Sequence, residues 1–200
     1  PVILSGKEAQ MLADVRAESN AQVERMCAKL NAHLDAVKAG FSIDFKQVVK
    51  DLTRGSVRER HLAKALRMAV DAAAGNAGDR LALYERIFGG QPLKSAIEND
   101  AAVENEIRSK LLKSGGAAFV PEDPKAFLPM ETVCRIIEAA GGIPTYPFLA
   151  DDAKGNFTDF EGDLQKAADT LKKRGFKSVE FITTRNTTAV LEKYTDYLQD

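Results

Sequence analysis

A short apolar segment, a helix and a second apolar segment follow one another closely in this chain, and this order constrains the fold more than any other feature. The two apolar segments are Ala118–Val120 and Ile143–Phe148. Between them, apolar residues recur at the spacing of one helix face: Val133, Ile136, Ile137 and Ala140. Gly141 follows, where a left-handed residue can end the helix. Strand, helix and strand at this spacing predict a βαβ unit, which builds a parallel sheet.

A second βα step is predicted after this unit. Thr158 and Glu161 form a capping box, in which each side chain accepts a hydrogen bond from a backbone N–H group at the start of a helix. The segment 178–182 is then a third strand, and Asn186 caps a last helix. We therefore expect residues 116–200 to form an α/β part with three parallel strands joined by right-handed connections.

Residues 1–115 are predicted to be mainly helical. Apolar periodicity predicts helices over residues 6–39, 43–52, 57–74, 81–87 and 101–112. Ser56 and Glu59 form a capping box at the start of the third of these helices. The pair Gly115-Gly116 then separates the helical region from the α/β part. The predicted domains are accordingly residues 1–115 and 116–200.

Composition and charge bound the partners of the chain. The hydrophobic fraction is 44% and the charged fraction 28%, as in ordinary globular proteins. A net charge of −1 gives no general attraction to nucleic acid or to anionic membranes, and no apolar run approaches the ~20 residues of a membrane span. Cys27 and Cys134 lie in helical patterns among apolar residues, which favours buried thiols over a disulfide. These features predict a cytoplasmic protein.

The sequence motifs of metal and nucleophilic sites are missing. The chain has two histidines, His33 and His61, so a metal cage built mainly of histidine is excluded. HExxH, CxxC, GxGxxG and Walker sequences do not occur. We expect His33 to lie on a solvated helix flank. The acidic loop 151–156 fails as an EF-hand because Lys154 takes a ligand position; it suits the approach to the following helix, and the alternative is that its aspartates touch a metal at the mouth of a barrel.

Basic side chains are the best candidates for a binding site. One group lies on the helix predicted at 57–74 or flanks its amino end, where free amides also favour anions: Arg54, Arg58, Arg60, His61, Lys64 and Arg67. Arg108, Lys110 and Lys113 form a second group before the α/β part. We interpret Arg60, His61, Lys64, Arg108 and Lys110 as a substrate-binding wall that faces phosphate. The alternative is that these side chains cover solvated helix faces.

Four stretches of the chain match, in order, the motifs of one family. They are Leu30–Phe45, with a helix, a glycine and an I-D-L/F helix start; His61–Leu66, similar to H-I-A-R-A-L; Phe119–Pro121 with Glu138–Ile143, similar to Y-V-P and A-A-G-G-V; and Gly175–Glu180, similar to G-L-x-x-I-E. This ordered set resembles the PHP (polymerase and histidinol phosphatase) family of metal-dependent phosphoesterases. It covers most of the chain, with helical elements inserted between His61 and Phe119.

The resemblance implies a distorted (β/α)₇ barrel that hydrolyses phosphoesters. In the family, two or three divalent metals such as Zn, Mn or Fe are held at the strand ends by His and Asp, and a metal-bound hydroxide attacks the phosphoryl group. The substrate expected by resemblance is a phosphorylated small molecule or nucleotide. Residues 116–200 would then supply βα units of the barrel, and residues 1–115 would include a helical insert.

Several family positions are changed in this chain. The H-x-H and D-x-H ligand motifs do not occur, Phe148 stands near the place of the A-H-P histidine, and Glu59 occupies the place of the family's arginine two residues before His61. The resemblance therefore implies an incomplete barrel in which this chain alone lacks most metal ligands and holds no cofactor. The expected function is part of a metal-dependent phosphoesterase; the alternative is a non-catalytic α/β module that binds a phosphorylated ligand or a protein partner.

Overall fold

A computed structural model describes residues 4, 6–149, 156–182 and 186–198. By its internal contacts the chain divides into two compact units. The helical unit is Met11–Phe127, and the βα unit combines Pro1–Gln10 with Leu128–Asp200. The fold class is mixed α/β with mostly helical residues. The acidic loop discussed as a calcium loop lies outside the described residues, apart from its last residue, Asn156.

The helical unit contains the predicted helices with small shifts at their ends. They are α1 (Gly6–Ala36, whose first residues belong to the βα unit), α2 (Phe45–Leu52), α3 (Glu59–Ala73), α4 (Ala77–Ile87) and α5 (Asp100–Ile107). A π-helical turn, Arg108–Leu112, continues α5. The core is formed by fully buried side chains from these helices, including Leu30, Leu34, Leu62, Leu66, Ile87 and Ile107. Each such side chain contributes about 1.5–3 kcal/mol relative to an exposed one.

Two asparagines of α1 hold the loops on either side of α2. The Asn31 amide accepts from the Ile43 N–H at 2.8 Å and donates to the Ile43 carbonyl at 2.9 Å. The Asn20 amide accepts from the Val57 N–H at 3.0 Å and donates to the Gly55 carbonyl at 2.9 Å. Backbone N–H and C=O groups of the two loops, which have no partner in a helix or a sheet, are thereby hydrogen-bonded to side chains. The start of α2 and the approach to α3 are therefore positioned by α1.

The segment Ala118–Val120 does not form a strand, and this prediction is wrong. Ala118 and Val120 are buried in the core of the helical unit. The Gln22 amide donates to the Val120 carbonyl at 2.8 Å, and Lys29 Nζ donates to the Phe119 carbonyl at 3.0 Å. The apolar pattern therefore serves packing against helices, and side chains of α1 satisfy carbonyls that a sheet would otherwise need to pair.

The βα unit contains a parallel pair of strands between helices. Its elements are α6 (Met130–Ala139), β1 (Thr145–Phe148), α7 (Leu164–Lys173), β2 (Ser178–Phe181) and α8 (Thr188–Leu198). Thr145 pairs with Ser178 and Phe148 with Phe181 in parallel register. The predicted parallel pairing is confirmed, but the sheet has two strands among the described residues instead of three. An incomplete PHP-type barrel thus remains an expectation.

Aromatic residues cover one face of this small sheet. Tyr146, Phe148, Val179 and Phe181 belong to the same apolar cluster, and the register places them on one face. The rings of Phe148 and Tyr194 lie 5.1 Å apart, edge to face, a geometry that adds about 0.5–1.5 kcal/mol to area burial. This packing explains how two short strands hold their place against helices.

Both predicted caps in the βα unit have other roles. The Thr158 hydroxyl accepts the Glu161 N–H at 3.1 Å, but α7 begins later, with Asp163 as its N-cap. Glu161 is fully buried and accepts the Leu149 N–H at 3.0 Å, while the Asn186 amide donates to the Leu149 carbonyl at 2.8 Å. Polar side chains that were predicted to cap helices therefore satisfy both backbone groups of the residue after β1.

Two further expectations concern cysteines and membrane spans. Cys27 and Cys134 are both free and buried, as predicted. None of the helices in the described part of the chain combines the length and the hydropathy that crossing a bilayer requires.

Candidate functional site

A cleft of about 500 Å³ opens where α2 ends and α3 begins. It is lined by Asp51, Leu52, Thr53, Arg54, Ser56, Arg60 and His61. Two arginines and a histidine thus line one concavity, and Asp51 is the acidic residue in its wall. Among the predicted substrate-binding residues, the structure brings Arg60 and His61 together here and adds Arg54, which flanks the helix in sequence.

The loop between α2 and α3 is fixed by short-range hydrogen bonds. The Thr53 hydroxyl donates to the Val49 carbonyl at 2.8 Å and accepts from the Gly55 N–H at 3.0 Å. Gly55 has a φ of +96°, a conformation that residues with a side chain rarely adopt. With the Asn20 bonds to Gly55 and Val57, these contacts define the backbone that carries Arg54.

The capping box predicted for Ser56 and Glu59 does not form. α3 begins at Glu59, and Arg58 is its N-cap. Val57 is fully buried, and its N–H is held by α1. The chain therefore stays extended through these residues and enters the helix later than predicted. His61 takes the box position instead, because its Nδ1 accepts the Arg58 N–H at 3.0 Å.

The neutral form of His61 is favoured in this position. Burial, and next the charge of Arg60, lower the pKa of His61 below its usual 6.5; Lys64 and Arg58 act in the same direction, and Glu59 opposes them. Since Nδ1 accepts the cap hydrogen bond, the single ring proton is on Nε2. The cleft therefore contains a neutral N–H donor beside two guanidinium groups.

Arg54 and Arg60 supply the positive charge of the cleft. Both residues are exposed, whereas Asp51 accepts a hydrogen bond from the Gln47 amide at 2.6 Å. A guanidinium is always charged and offers parallel N–H donors that match the oxygens of phosphate or carboxylate. An oxyanion is therefore the chemical group that this arrangement suits best.

The other predicted binding residues lie elsewhere. Lys64 is exposed one turn after Arg60 and does not line the cleft. Arg108 donates to the Glu59 carboxylate at 2.7 Å and to the Asn105 amide at 3.0 Å. These bonds tie the π-helical turn to the first residue of α3.

Lys110 is also engaged within the helical unit. Its Nζ donates to the Pro92 carbonyl at 2.9 Å, pairs with Glu106 at 3.0 Å and lies 4.3 Å from the centre of the Phe88 ring. The Lys110 side chain is 17% exposed. The sequence shows two groups of basic residues, but it does not show that Arg108 and Lys110 are already bonded to other residues of the chain while Arg60 and His61 line a cleft.

The described residues do not fit a multi-metal centre. Within residues 4, 6–149, 156–182 and 186–198, no three His, Cys, Asp or Glu side chains converge as ligands. His61 uses Nδ1 for the helix cap, and His33 Nε2 lies 2.8 Å from the Ile87 carbonyl. His33 is thus partly buried and hydrogen-bonded, so its predicted position on a solvated flank is wrong. We derive no catalytic step through metals.

Comparison with protein-family models, curated proteins and solved structures gives no match to this chain.

Proposed function

We propose that the chain binds the phosphate of a phosphoester in the cleft at the start of α3, as part of a metal-dependent phosphoesterase. The observation that carries the proposal is that Arg54, Arg60 and His61 line one concavity. The ordered resemblance to PHP phosphoesterases supports the same ligand class. The metal ligands of such an enzyme are not assigned to any described residue.

The cleft residues would bind and orient the phosphate. Arg54 and Arg60 neutralise its charge, and the Nε2–H of His61 donates to one oxygen. Hydrogen bonds to charged groups contribute about 1.5–3 kcal/mol each, whereas isolated surface charges contribute about 1 kcal/mol or less. Binding thus requires that several donors act on the same anion, which the shared cleft favours.

A non-catalytic module that binds a phosphorylated ligand is the second candidate function. The exposed guanidinium groups favour it because they recognise phosphate without a metal. The two candidates share the binding step and differ in hydrolysis. A partner protein that bears a phosphate would use the same cleft.

The test is a titration of the whole chain with inorganic phosphate and with phenyl phosphate, followed by two-dimensional NMR. Arg60→Glu and Lys64→Glu reverse one charge each on the same helix, but only Arg60 lines the cleft. We expect Arg60→Glu to weaken binding at least about tenfold, the effect of one lost charge-assisted hydrogen bond, and Lys64→Glu to change it less than about threefold.

Hydrolysis is measured in parallel, with phenyl phosphate and added Zn²⁺, Mn²⁺ or Fe²⁺. Turnover that is lost in Arg60→Glu supports the phosphoesterase. Saturable binding without turnover selects the non-catalytic module. Binding that is absent, or equally affected by the two charge reversals, contradicts both candidates.

A further inference from the structure

An apolar groove continues from the phosphate cleft along the surface between α2 and α3. Asp51 and Leu52 line both the cleft and the groove. On α3, His61 lines the cleft, while Ala65 and Met68 line the groove. These three residues are spaced i, i+4 and i+7, so they lie on one face of the helix. Cleft and groove are therefore successive parts of one surface.

The floor of the groove is hydrocarbon. Its volume is about 210 Å³, and Ile43 and Val48 are buried at its base. Ala65 and Ala69 give α3 a flat wall, and Met68 is 46% exposed at the edge. An exposed methionine beside small residues adapts its shape to apolar ligands. The groove thus offers an apolar ligand contact area without selecting it closely by shape.

Three polar side chains at the rim, those of Asp44, Gln47 and Asp51, already make hydrogen bonds. Asp44 caps α2 and accepts the Lys46 N–H at 2.8 Å and the Gln47 N–H at 3.3 Å. The Gln47 amide donates to Asp51 at 2.6 Å. A ligand body with many hydrogen-bonding groups would have to compete with these bonds, whereas a hydrocarbon body would leave them intact.

We propose that the ligand is an amphipathic phosphoester, with its phosphate in the cleft and an unbranched hydrocarbon body in the groove. This inference rests on the proposed function and specifies the organic part of its ligand. From His61 to Ala69 the helix rises by about 12 Å at ~1.5 Å per residue, so the groove accommodates an alkyl chain of medium length beyond the phosphate.

The experiment compares inorganic phosphate with methyl, butyl and octyl phosphate, each below its micelle-forming concentration, on the whole chain. A buried methylene strengthens binding about fourfold at ~0.8 kcal/mol; for a half-open groove we expect roughly twofold per methylene from methyl to octyl phosphate. Met68→Glu should reduce this gain at least about fivefold for octyl phosphate and leave the affinity for inorganic phosphate unchanged.

Leu81→Glu is the matched control, because Leu81 is an exposed apolar residue of α4, 41% exposed, outside the groove. It should leave all four affinities unchanged. Equal affinities for methyl and octyl phosphate, with inorganic phosphate still bound, overturn the hydrocarbon body and leave the phosphate site standing. If octyl phosphate binds the Arg60→Glu variant as tightly as the native chain, its phosphate does not use the cleft, and the proposal that one ligand occupies cleft and groove is overturned. Failure of inorganic phosphate to bind overturns the proposed function itself.

Discussion

Replacing Glu106 by Gln tests how strongly the hydrogen bonds that Glu106 accepts, one of them from Lys110, stabilise the helical unit. Glu106 accepts the Lys94 N–H at 3.0 Å, the Ser95 N–H and hydroxyl at 2.8 Å each, and pairs with Lys110 at 3.0 Å. Burial raises the pKa of Glu106, but these hydrogen bonds outweigh it and lower the pKa from 4.5 to about 2. At ~1.4 kcal/mol per pKa unit, this fall corresponds to about 3 kcal/mol of stability.

The sign of the pH dependence follows from the lowered pKa. The stabilisation is fully present above pH 4.5, and it is lost as the pH falls from 4.5 toward 2, because the unfolded chain takes up the proton first. We expect Glu106→Gln to lower the free energy of unfolding by about 3 kcal/mol at pH 7, since the Gln side chain is uncharged and its NH2 end would face groups that donate. It should also flatten the loss of stability between pH 4.5 and 2.

The assay is urea unfolding followed by far-ultraviolet circular dichroism at neutral and acidic pH. Glu98→Gln is the control, because it removes the same charge from an exposed position. A loss below about 1 kcal/mol for Glu106→Gln, or an acid profile equal to that of the native chain, would refute the reasoning.

Two further predictions concern the start of α3 and the turn after α5. Because the pKa of His61 is lowered, neutral His61 stabilises the fold above pH 6.5, and this stabilisation falls as the pH drops below that value. The variant His61→Asn keeps a side-chain oxygen that can accept the Arg58 N–H, so its free energy of unfolding in urea should decline less between about pH 8 and 5. A decline equal to that of the native chain would contradict this. A Cβ on Gly116 would lie 2.4 Å from the Leu111 backbone, whereas one on Gly75 meets nothing within 4 Å. Gly116→Ala should therefore cost roughly 1–3 kcal/mol in the same assay, and equal losses for Gly116→Ala and Gly75→Ala would disprove the close contact.

Local periodicity predicted most helices and the parallel pairing of the two strands. The apolar stripe of α6 and the segments at Thr145–Phe148 and Ser178–Phe181 depend on residues close in sequence, which a pattern can record. The missing third strand depends on distant residues. Ala118–Val120 has the apolar character of a strand, but Gln22 and Lys29, which lie 98 and 90 residues away in sequence, bind its carbonyl groups. The composition of a short segment does not contain that information.

The helix caps were wrong for a related reason. Ser56 with Glu59, and Thr158 with Glu161, both satisfy the spacing of a capping box. In the structure, Glu59 pairs with Arg108. Glu161 is buried at the end of β1. A capping box contributes about 1 kcal/mol, so a tertiary bond to a buried or charged group is strong enough to displace it.

The candidate site was predicted in part because charge is visible in a sequence and pairing is not. Arg60 and Arg108 are equally basic in the chain, but only Arg60 lines the cleft. Arg108 binds Glu59, from a position forty-nine residues away. Which cations are available for a ligand is thus decided by which carboxylates the fold places beside them, and no helical periodicity encodes this.

The position of the cleft depends on α1, which contributes no residue to its lining. Asn31 holds the Ile43 backbone before α2, and Asn20 holds the Gly55 and Val57 backbone before α3. Each asparagine makes one donor and one acceptor bond to the loop backbone, so neither loop can rotate without leaving a polar group unsatisfied. The start of α2 beside the groove and the loop that carries Arg54 are therefore both held by α1. A ligand that spans cleft and groove would meet a surface whose two parts are already fixed in relation to each other. Binding would therefore cost less conformational entropy of the protein than if the two loops first had to be ordered.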